Sequence, residues 1–375
     1  MIYLDYSANT PVDEAVLERF CAVERSCPGN ANSRHQAGAA AKTAIDEATQ
    51  SIARSLNVQP AEIIYTSGAS EANNFALKSI ARLERHHGKH IISTPLEHSS
   101  VSGSLTALQE QGYEIDLVDI KQDGTVDLAH LRELLRPDTI LVAVTAVDSE
   151  LGVVQPVTEI AALLKDYPHC HLHVDATQAV GKLPLPSFEG IDTLSLTAHK
   201  FYGLNGIGVL VKRRGLALEP LIHGGESTTI YRSGTPTVAL ACSLALALDK
   251  AMTELPERVG RVRSLNARLR TELANYPKVR INSPENAVPQ ILNLSVKDVK
   301  GTVFQRELDA HGVCVSVKSA CSSDGLPSRA VFAVSRDRRN ALSSWRISLS
   351  HRTTDEEITG FLQAFDACYR TLTQP

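Results

Sequence analysis

The chain has 375 residues, with 38 Lys+Arg against 42 Asp+Glu, for a formal charge of −4. Hydrophobic residues at 43% and charged residues at 21% are ordinary globular values; they exclude a disordered or fibrous chain, and without a basic surplus nothing points to direct nucleic-acid binding. No apolar run reaches the roughly 18 residues that span a bilayer.

The opening Met1-Ile2-Tyr3-Leu4-Asp5 lacks the basic and apolar regions of a signal peptide, so a cytoplasmic protein without membrane association is expected. Seven cysteines and no CxxC argue against a disulfide framework or a zinc ribbon. The length suits two domains, or one large domain with an annex.

Strand and helix alternate from residue 63 onward. Strands are expected over 63–66, 90–93, 115–118, 140–144, 172–175 and 193–196. Helices are expected over 70–81 and 99–111, from about 127, and over 157–165. The continuous apolar run 140–144 suits a strand covered on both faces. This alternation predicts a mostly parallel, doubly wound α/β sheet. From Pro236 the pattern changes to two long helices, 238–252 and 256–273. Shorter elements follow: strands 291–296, 313–317 and 345–349, helix 303–311, and a terminal helix from Asp355. They read as a smaller α/β domain. The alanine-rich 37–48 stretch is good helix sequence.

Four segments carry chemistry. Thr197-Ala198-His199-Lys200 puts a lysine just after a strand, where a cleft can deprotonate it for Schiff-base chemistry; a surface lysine is the plain alternative. The glycines after it, GxxGxG over 203–208, lead into the apolar strand 209–211 and are no dinucleotide fingerprint. His173-Val174-Asp175-Ala176-Thr177-Gln178 sets an acid at the carboxyl end of a strand, where open α/β sheets bind ligands. Asp175 there can hold a ring nitrogen protonated, or can simply cap a helix. His169, His171 and His173 alternate as metal ligands on one strand face do, yet no supporting carboxylate pattern accompanies them, and no metal is expected.

Thr66-Ser67-Gly68-Ala69-Ser70-Glu71 is a strand, a small-residue turn and a helix start, suited to phosphate; Ser70 and Glu71 also read as ordinary caps. Ser319-Ala320-Cys321-Ser322-Ser323-Asp324-Gly325 sets a cysteine among small polar residues and suggests an accessible, reactive thiol. Cys314, between valines, reads as packing. Arg346, inside an apolar strand, needs an anion: a ligand carboxylate or a structural Asp or Glu.

In this order and combination the segments resemble the cysteine desulfurases of the NifS/IscS type, within the class-V aminotransferase group. The resemblance runs from Tyr3-Leu4-Asp5-Tyr6-Ser7-Ala8-Asn9-Thr10-Pro11 to Thr353-Thr354-Asp355-Glu356-Glu357. It includes Gly29-Asn30-Ala31-Asn32-Ser33-Arg34-His35, Thr94-Pro95-Leu96-Glu97-His98-Ser99-Ser100 and Arg232-Ser233-Gly234-Thr235. It implies the pyridoxal-phosphate transferase fold of type I, with 16–250 as the large cofactor domain and 1–15 plus 251–375 as the small one. It also implies pyridoxal 5'-phosphate bonded to Lys200, with His98 stacked on the ring and active in proton transfer. Asp175 would meet the ring nitrogen and Gln178 the phenolic oxygen. Ala69, Ser70, Thr197 and His199 would hold the phosphate, and Thr235 would reach the phosphate of a second subunit in a homodimer. Arg346, with Asn30 and Ser149, would bind the substrate L-cysteine. Cys321 would accept its sulfur as a persulfide for an acceptor protein, either an iron–sulfur scaffold or a tRNA-thiolation enzyme.

Three departures from the family pattern stand out. Ser149 replaces an amide, His223-Gly224-Gly225-Glu226-Ser227 replaces a triple-glycine segment, and Lys318 replaces a glycine before Ser319. A selenocysteine lyase, another lyase or aminotransferase on this scaffold, and a degenerate regulatory subunit are the alternatives.

Overall fold

The computed structural model describes residues 1–184, 189–318 and 326–373. The chain starts with β1 (Ile2–Tyr3) and the helix Glu14–Ser26, capped by the Asp13 carboxylate on the Ala15 N–H at 3.1 Å. The alanine-rich stretch is part of a longer helix, Gln36–Leu56. Both helices pack on the helix Val238–Thr253; what places Glu14–Ser26, which its own pattern barely announces, is this tertiary contact.

Seven strands follow in one sheet: β2 (Ile63–Thr66), β3 (His90–Ser93), β4 (Glu114–Leu117), β5 (Thr139–Thr145), β6 (His171–Asp175), β7 (Thr193–Thr197) and β8 (Gly208–Lys212). Their order is β2-β8-β7-β6-β5-β3-β4. The β7-β6-β5-β3-β4 pairings are parallel, and β8 runs antiparallel to both of its neighbours. Chain length explains the reversal. Parallel neighbours need a crossover of a dozen or more residues, and the β7–β8 link, 198–207, is too short for one. That link carries Lys200. The helices Ala69–Glu84, Ser99–Gln109, Leu128–Leu134 and Val157–Leu164 connect β2 to β3, β3 to β4, β4 to β5 and β5 to β6. Every residue of β5 is buried, as its unbroken apolar run requires.

A second core gathers Leu4, Leu265, Leu294, Phe304, Trp345 and Phe365. It lies among β9 (Val279–Ile281), β10 (Ile291–Val296), β11 (Val313–Cys314), β12 (Ser344–Ser348) and the helices Leu255–Leu273, Gly301–Ala310 and Asp355–Thr373. β10 sits between β12 and β9 with antiparallel pairing, and β1 pairs with β11 in parallel. The strand expected over 313–317 is cut short after Cys314. The chain changes partner there, and Ser316 pairs with Arg346. Two further helices, Arg329–Ser335 and Arg338–Ser343, precede β12. Val288, Ile291, Val331 and Ala341 from this C-terminal part pack on the large sheet's core, so the two cores are in contact. Among the described residues no helix is long and apolar enough to cross a membrane.

Candidate active site

A cavity of about 340 Å³ opens at the carboxyl ends of β2, β3, β5, β6 and β7. This is where open α/β sheets collect ligands. Ser67, Gly68, Ala69 and Ser70 line one end, at the N-terminus of the helix Ala69–Glu84. The first backbone N–H groups of that helix and its positive dipole end suit an anion. The turn is tight: a Cβ on Gly208 would lie 2.7 Å from the Gly68 Cα and 2.5 Å from the Leu196 carbonyl oxygen. Glycine at 208 is what lets β8 lie directly under the cradle. Thr197 and His199 complete this end. Thr197 Oγ1 donates to the Ile207 carbonyl at 3.2 Å, so the contact at 3.1 Å assigns the proton of His199 to Nδ1. Burial, with the nearby Lys200 and Lys182, pulls the His199 pKa down to about 4.

The opposite wall is a single hydrogen-bonded network centred on Asn73. Its Nδ2 donates to Asp175 Oδ2 at 2.8 Å and to Ser100 Oγ at 2.9 Å. Its Oδ1 accepts from His173 Nε2 at 3.0 Å and Ser195 Oγ at 2.5 Å. Both amide hydrogens and both lone pairs are used, which fixes the amide's orientation. Asp175 also accepts from the Thr177 N–H at 3.0 Å, so its carboxylate is held at two points in the cavity wall. Ser100, having accepted from Asn73, gives its own proton to His98 Nδ1 at 2.8 Å, and the Ser100 N–H donates to the same nitrogen at 3.2 Å. Neutral His98 therefore carries its proton on Nε2. Burial lowers its pKa, as does Lys200, against the pull of Asp175. His173 is driven to about 4 by burial and is a neutral strut between Asn73 and Thr193. It is buried inside the sheet and shares no site with His169 and His171.

Lys200 stands on a 3-10 turn, Ala198–Lys200, after β7. Its Nζ donates to the carbonyls of Ser7 at 2.7 Å and Ala8 at 2.6 Å. Gln178 Nε2 donates to the same Ser7 carbonyl at 3.0 Å, and Gln178 Oε1 accepts from the buried Lys182 amine. Burial, reinforced by Lys200 and Arg346, pushes the Lys182 pKa well below the usual lysine range. Lys182, Asn73 and the Ser7 and Ala8 carbonyls shape the site without being evident in the sequence.

Arg346, 1% exposed on β12, lines the cavity from the side of the second core. Its Nη2 pairs with Asp5 Oδ1 at 2.8 Å and its Nη1 donates to the Ser149 carbonyl at 2.8 Å. The structural ion pair anticipated as the plain reading is present, and among the described residues the Nε–H has no partner. Ser149 lines the cavity and contacts Arg346 through its backbone. Asn30 is not in the cavity wall. It is exposed, and its Oδ1 accepts from the Asn32 N–H at 2.9 Å. Thr235 is exposed on a separate cleft that shares Ser67 with the cavity. Cys321 lies outside the described residues. The chain approaches that stretch through Ser316, which bonds Asp5 Oδ2 at 2.8 Å and pairs with Arg346. Among the described cysteines all six are free thiols and none lines the cavity. Burial raises Cys170 to about 12 and Cys368 to about 11.

Behind His98, Glu97 is fully enclosed. Its Oε1 accepts from Thr94 Oγ1 and the Thr145 N–H, each at 2.8 Å, and among the described residues its Oε2 has no partner. Burial, with the charges of Asp175 and Asp148, pushes its pKa up to about 8. The folded protein thus holds a proton that the unfolded chain, titrating near 4.5, releases across this window. Stability from this group is present below about 4.5 and is lost as pH rises to about 8. Glu97→Gln copies the protonated form. We expect its urea stability to fall less than the wild type's between pH 5 and pH 8, by on the order of 4 kcal/mol at 1.4 kcal/mol per pKa unit. Parallel stability–pH curves would show that Glu97 is ionised in the fold.

The comparisons with known proteins agree with this fold. The aminotransferase class-V family model matches residues 2–361. The chain belongs to the class-V aminotransferase family. Within that family, the chain is 36% identical to a cysteine desulfurase IscS of Dictyoglomus turgidum, covering 97% of this chain and 93% of that one. It is 40% identical to a cysteine desulfurase IscS of Proteus mirabilis, covering 95% and 90%. A solved class-V relative, a NifS-like protein, superposes with a TM-score of 0.93 at 33% identity over 99% of this chain and all of the other. A second, SspA in complex with cysteine, gives 0.82 at 29% identity over 94% and 100%. The class-V fold here is the type I pyridoxal-phosphate architecture of the NifS-like proteins.

Proposed function

We propose that this class-V protein is a pyridoxal-phosphate-dependent cysteine desulfurase. It converts L-cysteine to L-alanine and passes the sulfur to Cys321 as a persulfide. The observation that carries this reading is the shared cavity: Lys200, the Asp175–Asn73–His98 network and Arg346 all face one enclosed space beside an anion cradle.

The residues present fit the cofactor. The glycine-tight turn and helix N-terminus suit its phosphate, the doubly held Asp175 carboxylate its ring nitrogen, the His98 ring its face, and Lys200 its aldehyde. When bound, the cofactor supplies an electron sink for the substrate's Cα. Asp175 strengthens that sink by favouring a protonated ring nitrogen. Lys200 would hold the cofactor through its amine, which the Ser7 and Ala8 carbonyls orient. His98 offers its Nε2–H to the cavity while Ser100 steadies Nδ1. Arg346 keeps N–H groups in reserve for the substrate carboxylate, and its tie to Asp5 sets its direction. The Cys321 thiolate attacks the substrate's Sγ. An S–S bond forms, the Cβ–Sγ bond breaks, and its electron pair and a proton complete the methyl group of alanine. The persulfide then leaves on an acceptor thiol, that of an iron–sulfur scaffold or a tRNA-thiolation enzyme. Residues 16–250 form the cofactor unit; 1–15 and 251–375 form the unit bearing Arg346 and Cys321. Incubation with L-cysteine and a reductant is the direct test. Alanine and sulfide should appear in equal amounts, and a protein loaded with cofactor that releases no alanine would end this reading.

The proposal includes a homodimer. Leu221, Ile222 and Ile230 are 41%, 40% and 66% exposed on the segment that ends at Thr235, and symmetric dimers are the commonest soluble oligomers. Thr235→Trp is expected to weaken cofactor retention by about tenfold, the worth of one hydrogen bond to a charged group. Light scattering showing a fully active monomer would remove the dimer from the proposal.

A further inference from the structure

The end of the sheet opposite the cavity holds a second cluster of chemically capable groups. β6 runs from His171 at that end to Asp175 in the cavity, and the helix Ala69–Glu84 arrives there at its last residue. The following turn folds back, with the His87 N–H on the Glu84 carbonyl at 2.8 Å. His87 Nδ1 lies 2.7 Å from Glu84 Oε2. The His87 ring stacks on His169, with centroids 3.7 Å apart and planes within 10°. A neutral imidazole has one ring-nitrogen lone pair to give to a metal. Among the described residues no hydrogen-bond partner reaches either ring nitrogen of His169, and both rings are exposed. Behind them, His171 Nε2 lies 3.3 Å from Glu84 Oε1, and His171 Nδ1 lies 3.3 Å from Asp192 Oδ1. Asp192 is fixed in turn by the Leu172 N–H at 2.8 Å.

We propose that Glu84, His87 and His169 bind one divalent cation of the zinc class, with water in the fourth position. One ligand atom from each lies within 4.8 Å of the others. Tetrahedral ligands around zinc stand roughly 3.3 Å apart, given bonds of about 2.0–2.1 Å. Rotation of the exposed His169 side chain would bring the three ligand atoms to that spacing. Two imidazoles and one carboxylate match zinc; calcium and magnesium take oxygen ligands. The His171–Asp192 pair supplies the outer support that orients a ligating carboxylate. Position gives the site its meaning. The helix and the strand it joins carry, at their other ends, the phosphate cradle and Asp175, so the cation braces the rear of the two elements whose fronts form the cavity.

The test is Zn²⁺ binding to the chelator-stripped full-length protein, read by competition with a chromophoric chelator. The proposal does not depend on the desulfurase reaction. Because thiols also take zinc, the measure is the difference between proteins. The wild type should bind one more equivalent at micromolar Zn²⁺ than His87→Ala or His169→Ala. Asp192→Asn should weaken that equivalent about tenfold, and Mg²⁺ should not compete. Both exposed alanine variants should keep the metal-free melting temperature and the alanine production of the wild type. Equal zinc uptake by all of these proteins, or none by the wild type at micromolar Zn²⁺, overturns the proposal.

Discussion

Lys200→Ala is expected to abolish alanine production from L-cysteine, with a fall on the order of 10⁴-fold or more, because it removes the nucleophile and an acid–base group together. The fold should survive. The amine's partners are the carbonyls of Ser7 and Ala8 at the cavity edge, and water can satisfy both once the side chain is gone. The variant should therefore melt close to the wild type, yet lack the absorbance of lysine-bonded cofactor. Lys200→Arg separates charge from chemistry, since it keeps a cation near the two carbonyls and cannot form the carbon–nitrogen bond. It should be as inactive as the alanine variant. Activity within tenfold of the wild type in either protein would mean that another amine does this work. The buried Lys182, joined to Lys200 through Gln178 and the Ser7 carbonyl, would be the first to examine.

Cys321→Ser should split binding from turnover. The change is nearly isosteric, but a hydroxyl is a far weaker nucleophile toward sulfur than a thiolate. The variant should bind cofactor and respond spectrally to L-cysteine, yet form no persulfide, and alanine production should fall on the order of 10³-fold. Cys314→Ser is the control. Cys314 pairs with Tyr3 at the β1–β11 edge, and burial, aided by Asp309 and Asp5, raises its pKa, so it is a poor thiolate. That variant should keep wild-type turnover. Wild-type alanine output from Cys321→Ser would refute the thiol-acceptor step. Lost cysteine activity with intact selenocysteine cleavage would move the assignment to a lyase.

The parts legible in the sequence are those where one residue type in one local setting is placed in the cavity wall. The strand–turn–helix at Thr66–Glu71, the acid closing β6 and the lysine after β7 each signal through their neighbours. The apolar strand after the Lys200 turn is also readable, since the glycines lead into it; its reversed direction is not, and only the short link from β7 explains it. What stayed hidden depends on distant pairing. Asp5 and Arg346 are 341 positions apart, and nothing near either announces the other. Asn73 reads as an ordinary helix residue until the fold sets it among Asp175, His173, Ser195 and Ser100. Lys182 looks like a solvated lysine after a glycine. The alternating histidines suggested one face of one strand, yet His173 turned inward to the sheet, and His169 met a helix end that no periodicity could bring to it.

The grip on Lys200 has a consequence for anyone altering this protein. Its amine donates to two peptide oxygens of the first nine residues, and that same short stretch provides the carboxylate that steers Arg346. A scan of side-chain replacements would pass over Ser7 and Ala8, because every amino acid brings the same carbonyl. Trimming the first residues, or an unwanted clip by a protease behind Asn9, would strip these two anchors in one stroke and leave the Lys200 side chain in place. An inactive preparation of correct sequence at Lys200, Asp175 and Cys321 should first be weighed for a missing amino terminus.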